Sequence, residues 1–179
     1  LWLAEKRGAT PNTLKPIIQA LKTLPEDVSS TLIMTQEAIN QYASITYDSD
    51  HLFIIGRGLD RPVALEGALK LQQIAYIHAD AYAAGELKHG TLALITPGSP
   101  VIVLATHEDT FHATIGNIKE IKARDAFVLA ITTVKEESLI DVADEVLYIP
   151  STHPLLMPVL SAIPLQLLAY YTGVMRGND

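Results

Sequence analysis

Four short runs constrain this chain more than any other feature: "HLFIIG" at 51–56, "PVIVLAT" at 100–106, "AFVLAIT" at 126–132 and "EVLYIP" at 145–150. Each is near-continuously apolar. A strand with one wet face alternates, so these runs read as strands buried on both faces. Segments of helical character separate them, at 59–77, 108–124 and near 135–142. Strands alternating with helices are the mark of βαβ units and a parallel sheet with helices on both sides. "ADAYA" at 79–83 adds a further short strand. The expected fold is a three-layer α/β/α domain.

Before the sheet, the sequence predicts two helices, 12–23 and 26–46, broken at Pro25 with Glu26 and Asp27 in the next first turn. This is an N-terminal helical hairpin. After the sheet comes "HPLLMPVLSAIPLQLLAYYTGVMRG", whose three prolines interrupt its front. Leu165, Leu168 and Ala169 continue it as a buried closing helix, with Gly173 and Gly177 as breakers near its end. A length of 179 residues suits one domain. Residues 1–10 are assigned to a linker, 12–46 to the hairpin and 51–176 to the sheet and its covering helices. "LWLAEKRGA" reads like the tail of an earlier element, so the chain is expected to be a fragment of a longer polypeptide.

Composition bounds the function. The chain is 49% hydrophobic but only 6% aromatic, which calls for a mostly aliphatic core. Its net charge of −7 argues against a nucleic-acid surface, which needs clustered Lys and Arg. With no cysteine, disulfides, thiolate metal sites and a Cys nucleophile are excluded. No signal-peptide pattern and no run of about 18 apolar residues is apparent, so a cytoplasmic protein without a membrane segment is expected.

Three places carry candidate chemistry. "IIGRGLD" is a strand, a Gly-Arg-Gly turn and a helix that Asp60 can cap. Such a turn can bring backbone N–H groups to a phosphate, or it is simply tight, with Arg57 in solvent. Along the following helix, Glu66, Lys70, Gln73 and Ile77 fall on one stripe at about 100° per residue. Glu66 and Lys70 are in the favoured i, i+4 order for an ion pair, which also suits a solvated outer face. Finally, "GELKHG" at 85–90 crowds Glu86, Lys88 and His89 between two glycines. As a turn of helix it puts Glu86 and His89 on one face, and a histidine is well suited to proton transfer near neutral pH. His107 and His112 with Glu108 and Asp109 fit no standard metal spacing.

"ALEGALKLQQIAYIHADAYAAGELKHGTLALI", with "GRG" upstream and "PLQLLAYYTG" downstream, resembles the second sugar-isomerase (SIS) domain of the glucosamine-6-phosphate synthase family, the isomerising glutamine:fructose-6-phosphate amidotransferases. The resemblance covers essentially the whole chain, as a single SIS domain over 1–179. It implies a flavodoxin-like parallel sheet and a parent enzyme with a glutaminase domain and two SIS domains. That parent makes glucosamine 6-phosphate from fructose 6-phosphate and glutamine, as a homodimer or larger, with no metal or organic cofactor. By position, His89 matches the family's ring-opening histidine, which reaches the sugar from the neighbouring subunit. Lys70 matches a lysine that assists proton transfer, and Glu66 its acidic partner.

The sequence departs from the family at Gln73, where the isomerisation base is otherwise a glutamate. An amide cannot take a proton from carbon at neutral pH, so another group serves or the step is altered. The chain also stops at Asp179, before the family's tail with its Schiff-base lysine, and lacks the serine-rich phosphate loops of the first SIS domain. The chain alone is therefore expected to be inactive. A fructosamine-phosphate deglycase and a non-catalytic sugar-phosphate-sensing SIS module are the alternatives.

Overall fold

The computed structural model describes residues 1–133, 135 and 137–178. The expected helix near 135–142 therefore lies partly outside the described residues, and Asp179 lies outside them. Among the described residues, five strands form one sheet: β1 (His51–Gly56), β2 (His78–Ala83), β3 (Pro100–Ala105), β4 (Phe127–Thr132) and β5 (Glu145–Tyr148). The order is β2-β1-β3-β4-β5 and every neighbouring pair is parallel. This is the flavodoxin-like order, which reverses between β1 and β3.

The helices are α1 (Trp2–Lys6), α2 (Pro11–Thr46), α3 (Asp60–Lys70), α4 (Glu108–Lys122), α5 (Glu137–Ile140) and α6 (Met157–Arg176). Alternate strand residues feed two cores. Leu52, Ile54, Ile102 and Leu104 face one side, with Ile39 and Ala43 of α2, Val63 and Ala68 of α3, and Leu160, Leu165 and Leu168 of α6. Phe53, Ile55, Val101 and Val103 face the other, with Ala84 and Leu87 and with Phe111, Ile115 and Ile118 of α4. Each buried Val, Leu, Ile or Phe side chain among these contributes about 1.5–3 kcal/mol, which is why the apolar runs dictate the layers.

The N-terminal hairpin is not formed. Residues Pro11–Thr46 make one continuous helix, with Pro16 and Pro25 inside it. Thr10 caps it by accepting from Thr13 N at 3.3 Å, and Pro11 occupies a first-turn position where no donor is needed. Pro25 removes one helical bond, a loss of about 3 kcal/mol in a helix interior. Leu21 and Pro25 both lie on the solvent side, so the carbonyl left without a donor faces water. Thr31, Thr35, Ile39, Tyr42 and Thr46 form a buried stripe, and α2 packs along α6. The three threonine hydroxyls donate to carbonyls one turn back, at 2.7–2.9 Å. The continuous buried stripe outweighs the break.

Nor do prolines interrupt α6. Pro158 lies in its first turn, and Pro164 is buried within it. Gly173 is helical, whereas Gly177 ends the helix with φ +72°, and Asn178 N donates back to Gly173 O at 3.0 Å. By length and composition α6 could cross a membrane, contrary to the expectation from sequence. It is instead the core helix of one layer, with 56% of its most apolar stretch buried.

The long helix expected over 59–77 is also modified. After Lys70 it widens into a π turn, Leu71–Ala75, and Tyr76 closes it at φ +54°. Ile77 thus leaves the Glu66/Lys70/Gln73 stripe and is buried in the core.

Candidate functional site

Three of the expected site residues converge. Lys70 Nζ lies 3.2 Å from Glu66 Oε1 and donates to Gln73 Oε1 at 3.2 Å. The first contact follows from i, i+4 spacing on α3. The second is an i, i+3 contact, with Gln73 on the π turn that continues α3. Lys70 is 29% exposed and Glu66 46%, so the pair contributes at most about 1 kcal/mol to stability. Its value is in geometry: a cation held between a carboxylate and an amide oxygen on an open surface.

"GELKHG" folds as a 3₁₀ turn, Ala84–His89, ended by Gly90 at φ +135°. In a 3₁₀ turn i and i+3 eclipse, so Glu86 and His89 share a face, and both are exposed. Leu87 anchors the turn in the core at 0% exposure. Lys88 Nζ pairs with Glu120 Oε1 of α4 at 2.9 Å. A Cβ at Gly85 would lie 3.6 Å from the Arg57 guanidinium, which itself donates to Asn117 Oδ1 at 3.2 Å. Arg57 is therefore half-buried and tied into the site region; it does not project freely into solvent.

His89 does not join the Lys70 cluster. The α3 helix packs in the core layer of α2 and α6, whereas Ala84 and Leu87 pack in the layer of α4, across the sheet. The two elements are joined through edge strand β2, so the buried anchors of the "GELKHG" turn lie on the opposite face of the sheet from those of α3. Sequence adjacency of 70, 73 and 89 concealed this separation.

The glycines of "GRG" serve a tight turn. A Cβ at Gly56 would lie 2.5 Å from Asp60 C and O, and Gly58 has φ +59°. Asp60 does not cap α3 with its side chain. Instead, its carboxylate accepts from Thr106 N at 3.0 Å and Thr106 Oγ1 at 2.5 Å, beyond the end of β3. His107 Nε2 stands 3.8 Å away, and His112 packs edge-on to Phe111. Burial raises the pKa of Asp60, against the bonds from Thr106 and the His107 charge. The bond joins the loops after β1 and β3 where the strand order reverses.

A polar cleft of about 280 Å³ opens beside these loops, lined by Thr106, His107, Asp109, Thr133 and Ser151 among others. In the sequence, His107 and Asp109 stand out only as part of a poor metal set, and nothing there points to Ser151 or Thr152, which arrive from the segment before α6. The Asp60–Thr106 pair gave no local signal, since the partners lie 46 residues apart.

The SIS domain family matches residues 45–176. The chain is 49% identical over its whole length to glutamine–fructose-6-phosphate aminotransferase (isomerising) of Caldanaerobacter subterraneus subsp. tengcongensis. It is 46% identical over its whole length to the enzyme of that name from Symbiobacterium thermophilum. It spans 29% of the length of each. Among solved structures, it superposes on the C-terminal domain of glucosamine-fructose-6-phosphate aminotransferase from Francisella tularensis with TM-score 0.89. That match has 34% identity and covers 97% of this chain and 49% of the other. With the sheet order, the two core layers and the family match in agreement, the chain belongs to the SIS domain family.

Proposed function

We propose that this chain is the isomerase-half SIS domain of a glucosamine-6-phosphate synthase, acting on fructose 6-phosphate within a longer cytoplasmic parent enzyme. The observation that carries the reading is Lys70 held between Glu66 and Gln73 on an open helix end. A sugar phosphate bound there would meet a cation able to stabilise charge developing on its oxygens during ketose-to-aldose isomerisation. His89 would open the sugar ring, and Glu66 would orient Lys70. Gln73 retains a hydrogen bond to Lys70 but, as an amide, supplies no base. The other SIS domain and a glutaminase domain of the parent complete the site and deliver ammonia.

The anchoring of the His89 turn in the core layer opposite to that of α3 supports a histidine acting on a neighbouring subunit's sugar, hence a homodimer. Full-length Lys70→Ala and His89→Asn variants test this directly. Each alone should be nearly inactive in forming glucosamine 6-phosphate. Mixed and allowed to exchange subunits, they should regain about a quarter of the parent's activity, since half of randomly mixed two-fold dimers hold one intact site of two. No recovery on mixing, with subunit exchange verified, would rule out the cross-subunit site.

Gln73 favours one second reading, a fructosamine-phosphate deglycase, in which the sugar step differs. Release of the amine from a fructosamine 6-phosphate by the parent, without glutamine-dependent synthesis, would select it.

A further inference from the structure

The π turn Leu71–Ala75 is held at three points. Gln72 Nε2 donates to Ala79 O on edge strand β2 at 2.6 Å. Asn178 Nδ2, just past α6, donates to Ile74 O at 3.0 Å. Gly173 lets α6 approach so closely that a Cβ there would lie 3.0 Å from that same Ile74 oxygen. Helix-end carbonyls lack intrahelical donors, and π turns are rare, so this segment needs partners from outside.

These contacts flank Gln73, whose amide oxygen meets Lys70 at 3.2 Å. Gln72 and Gln73 are adjacent and both exposed, yet their bonds divide them. One grips the sheet edge while the other faces the lysine. A register change within the turn would exchange or scatter these directions.

We propose that Gln72 and Asn178 are positioning residues, which fix the π turn from its two sides and so aim the side chain at position 73 toward Lys70. The proposal rests on reading Glu66, Lys70 and Gln73 as part of the sugar site. Both residues act through backbone carbonyls, of Ala79 and of Ile74, so the loss of either bond should leave the fold intact while loosening the aim.

The test uses the full-length parent with Gln72→Met, Asn178→Ala and Gln72→Lys, the last retaining a donor of similar reach. One measurement is the rate at which a small acylating reagent labels the Lys70 amine, read by mass spectrometry. Labelling should rise severalfold in Gln72→Met and Asn178→Ala and stay near the parent's in Gln72→Lys. The second is steady-state isomerisation with Gln73→Glu added to every protein. There kcat should fall about tenfold or more in the two donor-less variants, with KM within about twofold. Unchanged labelling in both donor-less variants overturns the proposal, whatever their activity. Altered labelling with unchanged kcat overturns the catalytic consequence. If labelling shifts as expected but no protein isomerises, the positioning geometry stands and the functional reading falls.

Discussion

Lys70 donates to the amide oxygen of Gln73 at 3.2 Å, while the same Nζ lies 3.2 Å from Glu66. A carboxylate at 73 would keep this geometry and add a base whose charged form Lys70 stabilises. The amide offers only the hydrogen bond.

Restoring the carboxylate is therefore expected to matter to chemistry and not to binding. In the full-length parent, Gln73→Glu should speed exchange of the substrate's enolisable proton with solvent deuterium by about 10²–10⁴-fold, the usual contribution of a general base. Sugar affinity should change little. Equal exchange rates in parent and variant would assign the base to another residue.

Asp60 links stability to pH. Its folded pKa is raised by burial, so the folded state holds the Asp60 proton more tightly than the unfolded chain does. Stability from this group is then fully present below the unfolded value of about 3.9 and is lost as pH rises through the higher folded value. Asp60→Asn can still accept from Thr106 N and can donate to Thr106 Oγ1. Over that acidic window the difference in Tm should move in favour of Asp60→Asn as pH rises. A parallel pH dependence of the two proteins would show that Asp60 ionises without cost.

Two glycines are held by packing at close range. A Cβ at Gly67 would lie 2.5 Å from Leu165 Cδ1 and 3.1 Å from Ile54 Cδ1, between α3, α6 and the sheet. Gly67→Ala should destabilise by about 1–3 kcal/mol, as overpacking does. At Gly56 the obstacle is the backbone of Asp60 and Arg61, which cannot swing aside as a side chain can. Gly56→Ala should therefore cost more than Gly67→Ala in urea unfolding, and the reverse order would refute this account.

Arg57 is expected to steady "GELKHG". Its guanidinium bonds Asn117 and lies against Gly85. Arg57→Met should speed amide hydrogen exchange in 84–89 while leaving exchange in β1 unchanged. Identical exchange across 84–89 would show that the turn is anchored without Arg57.

The sequence by itself determined the features that depend on near neighbours. Apolar runs such as "PVIVLA" specify buried parallel strands, because a strand covered on both sides has no position to give to water. The spacing of Glu66 and Lys70 specifies their contact, because four residues nearly complete a helical turn. The resemblance carried by "GELKHG" and its surroundings pointed to the SIS domain family. Tertiary structure decided what depends on distant partners. Pro25 reads locally as a break, but the buried stripe of α2 against α6 carries the helix through it. Asp60 reads as a cap, but Thr106, far along the chain, claims its carboxylate. "LQQIA" carries no mark of a widened turn; Ala79, Gly173 and Asn178 hold it. And the turn that carries His89, only 19 positions from Lys70, is anchored by Ala84 and Leu87 in the core layer opposite to that of α3, with strand β2 between the two elements.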